Sequence, residues 1–147
     1  MNTKQKVIAE LKKLQIPNLL SLSIIGSFVT KRKLSGIEDV NVYLILSNID
    51  TRTYQTIMEE FKKVCEKLTS EDVVFTAEFR PGPFKPGFKE GKKCIQLHVL
   101  INTLDMLASK SNMVALDWKL SSIKLKGKEI SKFLKADKFS RHELVDG

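Results

Sequence analysis

The chain has 147 residues, 42% of them hydrophobic and 29% charged, which is the length and apolar content of one folded domain. That apolar content is normal for a soluble globular protein, and we read residues 1–147 as a single domain whose last ten residues are polar enough to fray. Lys and Arg number 25 against 17 Asp and Glu, giving a formal charge of +8. A basic balance of this size suits triphosphates, nucleic acid or an acidic protein partner, and equally suits a lysine-rich solvated surface.

No apolar run reaches the ~18 residues needed to span a bilayer, and the lysines near the N-terminus precede no apolar stretch of signal-peptide length. The sequence thus predicts no membrane contact and a cytoplasmic location. Cys65 and Cys94 stand far apart, without metal-type spacing, and are expected to be reduced structural thiols, Cys65 on a helix and Cys94 at a strand start.

In chain order, Thr3 to Gln15 reads as an amphipathic helix with Val7, Leu11 and Leu14 on one face, stopped by Pro17 and Asn18. Leu19 to Ile25 is an interior strand that ends at Gly26-Ser27, after which Phe28 and Val29 have room for a single helical turn. Lys31, Arg32 and Lys33 then lead through Ser35 and Gly36 to a second strand, Val40 to Leu46, rich in residues that favour a pleated surface. A long helix follows, capped by Asp50 or Thr51 and running to Leu68, with Ile57, Phe61, Val64 and Leu68 at helical spacing. Its outer charges read as a solvated face.

Val73 to Phe79 is a third strand and Cys94 to Ile101 a fourth. The loop between them holds Pro81, Gly82, Pro83, Pro86 and Gly87 with Arg80, Lys85, Lys89, Lys92 and Lys93. Turn signals between two strands predict a hairpin with a basic tip, placed either for phosphate contacts or as a charged guard of the hairpin edge. Further on we expect a short helix over Asn102 to Ala108, an apolar cluster around Trp118, a short edge strand from Ile123 to Gly127, and a last helix over Glu129 to Lys135.

The chemistry-bearing residues fall around the first two strands. Gly26 lets a backbone approach a ligand closely, and Ser27 adds a hydroxyl beside it. Asp39 and Asn41 alternate with Val40 and Val42, so both oxygen-bearing side chains point to one face of the second strand. Glu38 points to the other. Together, Gly26-Ser27 and Asp39-Val40-Asn41 resemble the nucleotidyltransferase superfamily that includes DNA polymerase beta and the aminoglycoside and lincosamide enzymes, which pairs a Gly-Ser with an Asp-x-Asp about a dozen residues later. Gln96-Leu97-His98 resembles the Asp-x-His that several small-molecule members carry on a later strand.

The resemblance covers about the first hundred residues. With the elements above, it implies an α+β fold, a mixed and mostly antiparallel sheet of four or five strands flanked by helices. It places Asp39, Asn41 and Gln96 at the positions of the family's three carboxylates, with Gly26, Ser27, Lys31 and Arg32 as the nucleotide-binding set. Two of the three acids are amides here. Two divalent ions need several carboxylates to offset their charge, so Asp39 alone is left as a metal ligand, for one Mg2+ arriving with a bound nucleotide.

Glu78 on the third strand is the candidate replacement acid, against its reading as a surface partner of Arg80. His98 reads as a base or as a hydrogen-bonded structural residue, and Ser27 as a turn residue or a nucleophile lacking a visible base. Three functions stay open: a catalytically degenerate domain that binds a nucleotide or nucleic acid, an active magnesium-dependent nucleotidyltransferase with an altered metal site, and a protein-interaction module on the same fold.

Overall fold

The computed structural model describes residues 2–30, 39–79, 88–89, 92–108 and 122–127. The first helix, α1 (Thr3–Lys12), starts with a reciprocal cap in which Asn2 Oδ1 accepts from the Gln5 N–H at 2.8 Å and Gln5 Oε1 accepts from the Asn2 N–H at 3.0 Å. It buries Val7 and Leu11 and stops at Lys12, earlier than the expected Gln15, yet Leu14 beyond its end is buried as well. Asn18 takes a left-handed φ of 64°, a conformation asparagine tolerates, and turns the chain into β1 (Leu19–Ile25). One helical turn, α2 (Ser27–Thr30), follows, then β2 (Asp39–Leu46).

The long helix α3 (Thr51–Leu68) is capped by Asp50, whose Oδ1 accepts from the Thr53 N–H at 2.7 Å. That hydrogen bond holds the Asp50 carboxyl below the usual carboxylate range, because it favours the charged form. Beyond α3 come β3 (Val73–Glu78), β4 (Phe88–Lys89), β5 (Lys92–Thr103), α4 (Leu104–Ala108) and β6 (Ser122–Gly127). The expected cluster around Trp118 and the expected helix over residues 129–135 lie outside the described residues, as does the loop at 80–87.

The strands form one mixed sheet in the order β3-β5-β2-β1-β6, with β4 alongside β5. Strand β1 is antiparallel to both β2 and β6, whereas β5 is parallel to both β2 and β3. The α+β expectation therefore holds, but the expected hairpin between the third and fourth strands does not. A parallel pair needs a crossover of roughly a dozen residues, and residues 79–91 supply one. An antiparallel pairing with β5 is made by β4, with Phe88 opposite Lys93 and Lys89 opposite Lys92. Lys93 also pairs with Val73, so β3 and β4 flank β5 on opposite sides.

Each central strand has two unlike faces. On one, Leu22 and Ile24 of β1, Val40, Val42 and Leu44 of β2, and Leu97 and Val99 of β5 are each fully buried against Val7 and Leu11 of α1 and Ile57 and Phe61 of α3. On the other stand Ser23, Asp39, Asn41, Tyr43, Gln96 and His98. Period-two alternation thus separates the side that holds the fold from the side that carries functional groups. Salt bridges add little: Lys67 reaches Glu10 across the two helices at 3.7 Å, on an exposed surface where such pairs contribute weakly.

Candidate functional site

The sheet register brings the expected site residues together. Asp39 is the partner of Gln96 and Asn41 is the partner of His98, all from neighbouring parallel strands. Asn41 is also opposite Ile25, the residue before Gly26. Adjacent strands lie about 4.8 Å apart, so Asp39, Asn41 and Gln96 share one small area of the polar face. All three are half-buried.

Gly26 closes this area. Its φ of 101° is one that only glycine adopts easily. A Cβ placed there would have, among the described residues, only Asn41 Nδ2 within reach, at 3.4 Å. The Asn41 amide nitrogen is thus turned toward the Gly26 backbone. The Gly26 carbonyl accepts from the Val29 N–H at 3.0 Å, which closes the single turn of α2. Lys4 steadies that turn from α1, donating to the Val29 carbonyl at 3.3 Å with its ammonium 5.2 Å from the centre of the Phe28 ring. Ser27 opens α2 by its backbone; Lys31 and Arg32 lie outside the described residues.

Glu78 is the register partner of His98 on the far side of β5 from Asn41. It is therefore two strands across and two residues along from Asp39, about 12 Å between their Cα atoms at sheet spacing. Its Oε1 accepts from the Phe79 N–H at 3.1 Å. Among the described residues no three His, Cys, Asp or Glu side chains are grouped to hold a metal ion. A two-magnesium centre needs oxygen ligands with enough negative charge to offset the ions, and Asp39 with two amides does not fit one.

Thr76, the partner of Gln96, and Tyr43, two residues beyond Asn41, extend the same polar face and were not singled out from sequence. The alternation that marked Asp39 and Asn41 would have reached both. Deeper on that face Ser21 is 1% exposed and its hydroxyl has no hydrogen-bond partner among the described residues.

The largest described cavity, about 610 Å³, lies elsewhere, between α3 and β3, with Met58, Cys65, Phe75, Ala77 and Phe79 in its wall. Lys62, Glu66, Thr69 and Thr76 complete its lining, and none of the site residues expected from sequence is among them. Burial pushes the Cys65 thiol up to about 12, with Glu66 adding to the rise, which leaves it protonated and unreactive. The expectation of a reduced structural thiol holds for Cys65 and for Cys94, both free and buried.

No sequence family and no curated relative matches this chain. Solved structures do. A mutant of the toxin–antitoxin MntA-HpeT with two Asp-to-Glu substitutions aligns over 99% of this chain and 92% of its own, at 14% identity and a TM-score of 0.50. A single-site mutant of MntA-HpeT aligns over 97% and 90%, at 14% identity and a TM-score of 0.48. A tri-AMPylated Shewanella oneidensis HEPN toxin in complex with MNT antitoxin aligns over 92% and 82%, at 15% identity and a TM-score of 0.46. At these identities the first likeness shows the fold alone, an α+β fold with a mixed sheet flanked by helices. No helix among the described residues is long and apolar enough to cross a membrane.

Proposed function

We propose that this chain is a nucleotidyltransferase-like domain that binds a nucleotide or nucleic acid and has lost two-metal nucleotidyl transfer. The observation that carries this reading is the register: Asp39, Asn41 and Gln96 converge beside Gly26, and only one of them bears charge. Asp39 is the carboxylate available to a magnesium that a triphosphate brings with it, an ion that would neutralise phosphate charge. Glu78, diagonal across two strands and bonded to its neighbour's amide, is poorly placed to share that ion with Asp39. This weighs against the active enzyme with an altered metal site. Gln96 is no general base, since an amide does not take a proton near neutral pH. Lys31 and Arg32, next along the chain from α2, are the proposed partners of the phosphate chain.

Calorimetric titration of ATP, GTP, CTP and UTP, with and without magnesium, tests the proposal. Saturable binding of at least one nucleotide is the expected result. Release of pyrophosphate from a triphosphate in the presence of magnesium would restore the enzymatic reading instead. Absence of binding by any nucleotide, with none by single-stranded RNA or DNA at low salt, would remove the nucleotide reading altogether.

A protein-partner reading has its own support. Tyr54 and Met58 on α3 are 37% and 43% exposed beside the apolar groove against β3, and the aligned structures are toxin–antitoxin assemblies. An accessible groove of this kind should bind an apolar dye in the native protein and lose most of that binding in Met58→Glu. No dye uptake would leave the reading without its surface.

A further inference from the structure

We infer that Lys4 is a positioning residue of the nucleotide site: its ammonium, reaching across from α1, holds the turn at Gly26-Ser27 in the shape that receives the ligand. The inference rests on the nucleotide-binding reading above and adds a residue which that reading does not use.

The sequence makes Lys4 the odd member of its helix. Val7, Leu11 and Leu14 mark the face that α1 buries, and one step earlier at the same helical spacing the stripe falls on residue 4. An apolar residue is expected there. Lys6 and Lys12 lie off this stripe and are exposed, whereas Lys4 is half-buried. A cation drawn toward a core is costly unless it is partnered.

Two of its partners belong to one element. Lys4 Nζ donates to the Val29 carbonyl at 3.3 Å and stands 5.2 Å from the centre of the Phe28 ring. Both are residues of α2, the turn that follows Gly26. With four residues, α2 is too short to be held by its own hydrogen bonds, so its place is set by contacts to the rest of the fold. Phe28 supplies one, its ring 1% exposed in the main core. Lys4 supplies another, on the residue that closes the turn: Val29, whose carbonyl it holds, donates its own N–H to the Gly26 carbonyl at 3.0 Å. Lys4, Val29 and Gly26 are thus joined by successive hydrogen bonds. Glycine has wide conformational freedom, so the φ of 101° at Gly26, beside Asn41, has to be fixed by its surroundings. A side chain that fixes this turn lowers the ordering cost of binding and acts through the turn rather than on the ligand.

The test separates positioning from packing. ATP, GTP, CTP and UTP are titrated into the native full chain in magnesium, and the tightest binder is carried to Lys4→Met, Lys4→Arg and Lys12→Met, each measured well below its own melting transition. Methionine keeps an apolar stem against Phe28 and removes the charge. Arginine keeps a cation that can donate to a carbonyl and stack on a ring. Lys4→Met is expected to weaken binding by about five-fold or more, with Lys4→Arg recovering most of that loss and Lys12→Met unchanged. Amide exchange at Val29 should quicken in Lys4→Met while that at Val42, in the core of β2, stays as in the native protein. A smaller loss in Lys4→Met, or a loss in Lys4→Arg as large as in Lys4→Met, would overturn the inference and leave the nucleotide reading in place. No native binding by any of the four nucleotides would overturn both. Should Lys4→Met fail to fold, the native protein still decides: bound nucleotide should slow amide exchange at Val29, and an unchanged rate would break the link between turn and site.

Discussion

The two faces of β2 differ by a one-residue step and by everything that matters for function. Val40, Val42 and Leu44 are fully buried in a core shared with α1 and α3, while Asp39 and Asn41, alternating with them, are half-buried. The same strand thus spends one set of side chains on stability and leaves the other set free of it. If that division is real, substitutions on the two faces must have effects of different size and kind.

The largest effect belongs to the core face. Phe61→Ala should cost about 3–5 kcal/mol in urea unfolding, since the ring is fully buried and its loss leaves a cavity. Leu44→Ala, on the strand itself, should cost about 2–5 kcal/mol. A value under about 1 kcal/mol for either would mean that the core as described does not carry the fold.

Two glycines with a positive φ, Gly26 after β1 and Gly127 opposite Ser21 of β1, sharpen the comparison. A Cβ on Gly127 would lie 2.1 Å from the Leu20 carbonyl oxygen, so Gly127→Ala forces β6 away from β1. At Gly26 a Cβ would meet, among the described residues, only Asn41 Nδ2 at 3.4 Å, an ordinary contact, and the φ of 101° is the unfavourable feature. We expect Gly26→Ala to cost about 1–2 kcal/mol in thermal or urea unfolding and Gly127→Ala clearly more. Equal costs would contradict the difference between these two contacts.

Smaller still is Asp39→Ala, which should change stability by less than about 1 kcal/mol while altering nucleotide affinity. A large loss of stability would make Asp39 a structural residue. The smallest effect is one of pH. The Asp50 carboxyl has a folded pKa below its unfolded one, so its contribution to α3 is present above the ordinary carboxylate pKa and is lost as pH falls through the lowered value. Native protein should therefore lose more stability than Asp50→Asn between about pH 5 and pH 2, and parallel curves would remove the role of that charge.

Much of this was legible in the sequence, for reasons that can be stated. The helix capped by Asp50 and the strands around Gly26 were readable because apolar period and cap residues agree locally over many residues. Gly26 was readable as the break that ends an apolar run, and its φ of 101° was not. What escaped was non-local. Pairing of β3 with β5 depends on where the intervening chain travels, and turn residues indicate a reversal without naming its partner. β4 is only two residues long and has no period to detect. The site was half legible: alternation put Asp39 and Asn41 on one face, but only the parallel register sets Gln96 beside Asp39, and Glu78 beyond His98.

The central claim is that ligand chemistry resides on the polar face around Gly26. Backbone amide NMR of the uniformly labelled 16.7 kDa chain, recorded during an ATP titration, tests it most directly. Shift changes are expected to concentrate at Gly26, Asp39, Asn41, Gln96 and His98, with Met58, Cys65 and Phe75 unmoved. Changes centred on that α3–β3 groove instead, or none at saturating ATP, would contradict it.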